Sequence, residues 1–128
     1  MHKIIIDCDP GIDDGIALAY AAAHQDELEL LAVTTFAGNN TIDKVTKNAL
    51  ELVDFYGLNV PVARGQERPL VKEVLHAEEF HGETGLGHCV LPEAKSETAS
   101  DNAVLFIREL LNRLPEGEQV IMIETAPM

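Results

Sequence analysis

The sequence predicts an α/β fold, an open, mostly parallel, doubly wound sheet with helices on both faces. Three observations predict it. Short β-branched runs alternate with longer segments whose apolar residues recur at helical spacing, the pattern of strands joined by crossover helices. The 128 residues are 46% hydrophobic, enough for the packed core of one domain. Polar loop residues gather just beyond the ends of the strand-like runs, where parallel sheets bind ligands.

The elements follow in order. Lys3 to Asp7 (KIIID) is a short β-branched run and reads as a buried strand. Ile12 to His24 carries apolar residues and alanines suited to a helix lying close on a sheet. Leu28 to Phe36 reads as a second strand, with AGNN as the turn after it. Asn40 or Thr41 caps the next helix, whose inner positions are Val45, Ala49, Leu52, Val53 and Tyr56, and Gly57 stops it. NVPVAR supplies a third strand. Residues 65 to about 100 are rich in Gly, Pro and Glu, a length that suits a binding loop or lid more than a connector. Ser100 or Asp101 is expected to cap a helix to about Leu114, with Ala103, Val104, Ile107, Leu110 and Leu111 inward. GEQVIMIET is the fourth strand. Right-handed crossovers would then bring Asp7 to Gly11, Phe36 to Asn40, and Thr125 to Met128 to one edge of the sheet.

Composition narrows the function. The net charge of −13 opposes binding to nucleic acid or to an anionic membrane surface, because both demand a basic footprint. No apolar run reaches membrane-spanning length, and MHKIIIDCD meets an acid too early for a signal-peptide core. Cys8 and Cys89 show neither zinc spacing nor a disulfide framework, which fits a reducing, cytoplasmic setting.

The chemistry gathers in DCDPGIDD, where Asp7, Asp9, Asp13 and Asp14 fall within eight residues. Carboxylates this close repel one another, and more so as water is withdrawn. Asp13 and Asp14 could be helix-start residues favoured by the helix dipole, with Asp9 as the cap. One aspartate fills that role; four call for a cation. Oxygen ligands without nearby His or Cys select calcium or magnesium. A calcium loop of the EF-hand type would need Gly at position 12 and Glu at 18, where this chain has Ile12 and Leu18. A magnesium phosphatase that opens on a strand and D-x-D would carry Thr or Val where Gly11 stands.

DCDPGIDD resembles the signature of the inosine-uridine-preferring nucleoside hydrolases. LLAVTTFAGNN, FHGETGLG and VIMIETAPM are similar to three further blocks of that family, in the family's order. The resemblance implies a Rossmann-like nucleoside hydrolase fold of which residues 1–128 form the N-terminal part of a single domain. It also implies calcium-dependent hydrolysis of the N-glycosidic bond of ribonucleosides to free base and ribose, in nucleoside salvage. Asp9 would be both calcium ligand and the general base that activates water. Asp14 would be a bidentate calcium ligand, and Thr125 would offer its backbone carbonyl. Asp13 and Asn39 would hold the ribose, and Asp7 would support the ligands from behind. His81 stands open between a place beside the nucleoside and a surface position near Glu78, Glu79 and Glu83. Asn40 is expected to be a helix cap and Cys8 a packed core residue.

The resemblance carries departures as well. Gly15 stands where Ala is common, and Ala126 where Gly is usual, which would strain the loop if a positive φ were needed there. Family members run to more than twice this length and form homo-oligomers, dimers or tetramers. Their second half adds another calcium-ligand aspartate and groups that contact the base. These 128 residues are therefore expected to form a partial site with an exposed apolar sheet edge. HGETG leans toward the pyrimidine-preferring branch, while base preference stays open. The alternative is a truncated, non-catalytic remnant that binds metal or nucleoside without turnover.

Overall fold

The computed structural model describes residues 1–127, Glu78 by its backbone alone. Four strands, β1 (His2–Cys8), β2 (Leu28–Thr35), β3 (Val62–Ala63) and β4 (Val120–Glu124), form one sheet in the order β3-β2-β1-β4. All three pairings are parallel. The helices are α1 (Ile12–Ala23), α2 (Ile42–Phe55), the short α3 (Glu78–His81) and α4 (Ala103–Arg113). The chain steps outward from β1 to β3, then returns across the sheet to place β4 on the other side of β1. Strand order therefore reverses between β1 and β4, and the loops beyond those two strands flank the crevice where such sheets hold ligands.

β1 is central, so both its faces are covered and its isoleucines run consecutively instead of alternating with polar residues. Ile4, Ile6 and Cys8 pack with Leu18 and Ala21 of α1 and with Ala49, Leu52 and Val53 of α2. Cys8 is fully buried in this core, as expected from the sequence. Its thiol contacts the Thr34 carbonyl at 3.6 Å, and burial pushes its pKa up. A register shift between Ile4 and Ile5 leaves Leu31 as the extra residue of β2.

Thr41 caps α2, its hydroxyl accepting from the Lys44 N–H at 3.4 Å, and Gly57 ends the helix region at a φ of 65°. Asn40 is not the cap. Its carboxamide oxygen accepts the Thr41 N–H instead, and its amide donates elsewhere. The α4 cap is Asn102, which accepts from the Leu105 N–H at 3.1 Å, rather than Ser100 or Asp101. Ser100 is committed to β3, where its carbonyl accepts the Arg64 N–H at 2.9 Å. The third strand is also shorter than NVPVAR suggested, because only Val62 and Ala63 meet β2.

α4 departs furthest from its predicted packing. Ala103 alone is buried, Ile107 and Leu110 are half-buried, and Val104 and Leu111 are exposed. An open, largely apolar cavity of about 760 Å³, lined by Val104, Ile107, Met122 and Leu70 among others, separates the helix from the sheet. β4 is the edge strand beside it, with Ile121 49% and Ile123 37% exposed. The expected apolar edge is present.

Candidate active site

β1 ends at Cys8, and the chain turns through Asp9, Pro10 and Gly11 into α1. Gly11 is the N-cap and makes no side-chain cap bond, so Asp9 does not cap this helix. Asp14 lies in the first turn and reaches back, its Oδ2 accepting the Asp9 N–H at 3.0 Å. Both carboxylates are buried, Asp9 to 4% and Asp14 to 2% exposure.

The turn after β2 meets them. Asp9 Oδ2 accepts the Asn39 N–H at 2.7 Å, and the Asn39 amide donates to the Asp9 carbonyl at 2.9 Å. Gly38 makes this approach possible. A Cβ there would overlap Asp9 Oδ2 and come within 2.7 Å of Pro127 Cδ. From the third loop, the Thr125 N–H and hydroxyl donate to the Asp7 carbonyl at 2.9 and 3.2 Å. The three loops predicted to converge at the carboxyl edge thus do so, although Met128 lies outside the described residues. The Ala126 N–H also points to the Asp7 carbonyl at 3.3 Å. Ala126 does not adopt a positive φ; among the described non-glycine residues only Asn59 does, so the anticipated strain is absent.

Asp7 sits apart from the pair. Thr34 Oγ1 donates to it at 2.5 Å across the β1–β2 pairing, and Asp7 lines the cavity under α4 together with Glu124. Burial raises its pKa, the Thr34 bond opposes this, and the charge of Glu124 adds to it. Asp13 is exposed at the start of α1.

His81 is half-buried and lies against the turn that carries Asp9. Its Nδ1 accepts the Ile12 N–H at 3.2 Å, and its ring lies against Gly11, where an added Cβ would come within 2.6 Å of Nδ1. A neutral ring accepting at Nδ1 carries its proton on Nε2, which faces no acceptor among the described residues. His81 thus stands against the aspartate turn rather than apart from it, and the Glu78 side chain named in the surface reading lies outside what is described. Residues 65–100 leave from the end of β3 and return beside it, where Ala99 donates to the Val62 carbonyl at 2.8 Å. On the way His76 meets the Gly38 carbonyl at 3.2 Å and Ala77 donates to that of Asn39 at 2.9 Å. This long segment covers the turn after β2.

Asp9 and Asp14 suit a hard cation in chemistry and placement. No lysine, arginine or histidine pairs with either among the described residues. One oxygen of each accepts a backbone N–H, and the other accepts none. The two carboxyl groups also hydrogen-bond each other, which helps hold a proton on Asp9. Burial, reinforced by the charge of Asp14, pushes the Asp9 carboxyl up to about 7. A cation would reverse that shift. Two carboxylates fill only part of the six to eight positions that calcium takes, and no group of three or more His, Cys, Asp or Glu converges among the described residues.

Sequence reading passed over Gly38, whose lack of a side chain sets the Asp9–Asn39 contact, and Asn48. The one available signal was spacing: Asn40, just before the cap of α2, and Lys44 and Asn48 within the helix recur every fourth residue.

Fold and site define a parallel α/β protein with an acidic, oxygen-lined crevice at its strand-order reversal. Comparison with known proteins makes this specific. The profile of the "Inosine-uridine preferring nucleoside hydrolase" family matches residues 4–128, and the chain belongs to that family. It is 47% identical over 112 residues to the inosine-uridine preferring nucleoside hydrolase of Leishmania major, covering 86% of this chain and 35% of that protein. It is 44% identical over 128 residues to the pyrimidine-specific ribonucleoside hydrolase RihA of a Shewanella species, covering 99% and 39%. Among solved structures, a plant nucleoside hydrolase superposes with a TM-score of 0.87 at 33% identity, covering 98% of this chain and 40% of that one. The chain thus spans about two fifths of the length of the relatives it matches. No helix among the described residues is long and apolar enough to cross a membrane.

Proposed function

We propose that this chain supplies the acidic half of a ribonucleoside hydrolase site, which cleaves the N-glycosidic bond to give free base and ribose. The observation that carries the proposal is the buried, unneutralised pair Asp9 and Asp14 at the strand-order reversal of a nucleoside hydrolase family member. Asp9, Asp14 and the Thr125 carbonyl would hold calcium, which, when bound, would orient water and the ribose hydroxyls and make that water easier to deprotonate.

The chain's own residues supply the rest. Asp9 is the general base: it takes a proton from water, the oxygen bonds to the anomeric carbon, and the base departs with the electrons of the broken C–N bond. Asn39 fixes the Asp9 carboxylate through its own N–H. The ionised aspartates favour the positive charge that develops on the sugar. Asp13 and Asn39 hydrogen-bond the ribose, His81 offers its Nε2–H beside the nucleoside, and Asp7 supports the loop that carries Asp9. The proposal includes a cytoplasmic place of action and a family-type dimer or tetramer.

Ribose release from uridine and from inosine, measured with calcium and with a chelator, tests this reading. Chelator-sensitive release that is lost in Asp9→Asn upholds it; release indifferent to both refutes it. A second reading, a binding module without turnover, is favoured by the incomplete set of calcium donors. Calcium binding without base release from either nucleoside would establish that reading instead.

A further inference from the structure

One buried polar side chain near the site has no part in the chemistry above. Asn48 lies on α2, is 4% exposed, and uses its amide twice. It donates to the Pro10 carbonyl at 3.2 Å and to the Thr84 carbonyl at 2.7 Å. Those carbonyls belong to the two segments that meet at the site, the aspartate turn and the HGETG loop. Asn48 is not alone. One and two turns earlier along the same stripe, Lys44 and the residue before the cap, Asn40, each donate to the Glu83 carbonyl, at 2.8 and 3.0 Å. Three side chains at four-residue spacing thus grip the backbone of residues 83 and 84.

The grip reaches His81 through a compact turn. Gly85 donates to the Gly82 carbonyl at 3.2 Å and Gly87 to that of His81 at 2.7 Å. Gly82, Gly85 and Gly87 all have left-handed φ, so this turn closes without strain. Gly85 also leaves room for the amide, since a Cβ there would stand 3.0 Å from Asn48 Nδ2. The turn sets His81 against Gly11 with Nδ1 on the Ile12 N–H.

We propose that Asn48 is a positioning residue, a rigid amide brace between the Asp9 turn and the His81 loop that fixes where His81 meets the nucleoside. It acts through His81 and the Pro10 backbone and touches no reacting atom. Only Asn among similar-sized residues fits, because both partners are carbonyl oxygens and need two N–H donors from one atom. Asp has the same shape, cannot donate when ionised, and would face two oxygens. The link to nucleoside binding rests on the proposed hydrolase function; the brace itself does not.

The test compares the unaltered chain with Asn48→Asp, with the milder Asn48→Ser, and with Val53→Ala, a core truncation on the same helix that leaves the loop alone. Backbone amide exchange is read at Ile12, Gly85 and Gly87. Either Asn48 variant should speed exchange at these three about tenfold beyond the change at Val45 and Ala49, roughly what losing one such bond produces. Val53→Ala should single out none of them. In nucleoside turnover the Asn48 variants should raise KM for uridine more than they lower kcat, with calcium affinity unchanged. Exchange at Ile12, Gly85 and Gly87 that rises no more than elsewhere in both Asn48 variants would overturn the brace. Local exchange that rises while KM stays fixed would overturn its role in placing His81. If the unaltered chain shows no turnover, the hydrolase reading fails by itself and the exchange comparison still decides the brace.

Discussion

Gly38→Ala should disable the site by adding a single methyl group against Asp9. The position has an ordinary φ, so backbone conformation does not require glycine there. Space does. The new Cβ would overlap Asp9 Oδ2 and stand within 2.7 Å of Pro127 Cδ. Asp9 is buried and held by the Asn39 N–H at 2.7 Å, so it cannot swing aside and keep that bond. Breaking a hydrogen bond to a charged group costs about 1.5–3 kcal/mol. Forcing a methyl into packed surroundings costs a further ~1–3 kcal/mol. The expected loss of about 2.5–6 kcal/mol is a large part of the ~5–15 kcal/mol that a domain has in total. Urea denaturation measures it, with the Asn39 amide exchange rate as the local readout. Calcium titration should show affinity down by about 10- to 100-fold, as when a residue that orients a ligand is lost. A variant within about 0.5 kcal/mol of the parent, with the Asn39 amide still protected, would refute the steric reasoning whether or not calcium binds.

Gly15→Ala should act in the opposite direction. Its Cβ would meet Leu52 at 3.7 Å, an ordinary contact, so the variant should gain about 0.5–1 kcal/mol from helix propensity, read as a raised denaturation midpoint. Asn102→Ala should lose about 1 kcal/mol by removing the α4 cap and should leave calcium affinity unchanged in the same titration. Asp54 holds the 95–96 segment through the Ser96 hydroxyl and the N–H groups of Ser96 and Lys95, which lower its pKa. Its contribution to stability is complete above the unfolded carboxylate value near 3.9 and fades as pH falls through the lower folded value. Asp54→Asn should therefore lower stability by the same amount at every pH between 5 and 8, and the difference from the parent should shrink as the acid limb flattens below about pH 4. Ile123→Lys, on the exposed β4 edge, should cost under about 0.5 kcal/mol and reduce concentration-dependent association seen by light scattering.

Local chemistry made much of this protein legible before any coordinates. The β-branched run at Ile4 to Ile6, the spacing of Val45, Ala49, Leu52 and Val53, and the proline and glycines at the turns each act over a few residues. Their elements appear where expected. The aspartate cluster was legible for the same reason: four carboxylates in eight residues are unusual in any fold. The α4 cap was misplaced because Ser100, Asp101 and Asn102 are all good caps. The choice among them fell to β3, which holds Ser100 through the Arg64 N–H.

What sequence could not decide is which distant groups share a contact. Strand order, with its reversal between β1 and β4, is a property of the whole sheet and sets where the Asp9 and Thr125 loops meet. The packing of α4 could not follow from its own apolar stripe, since a stripe records what a helix can bury and not what stands opposite. Here an open cavity stands there. Asp9 is separated by 30 residues from Asn39, and Ile12 by 69 from His81. The sequence by itself determined the donors, their charge and the helix start that carries them. Tertiary structure alone decided that a missing Cβ at Gly38 would let Asn39 close on Asp9, and that an amide from α2 would hold the histidine loop beside it.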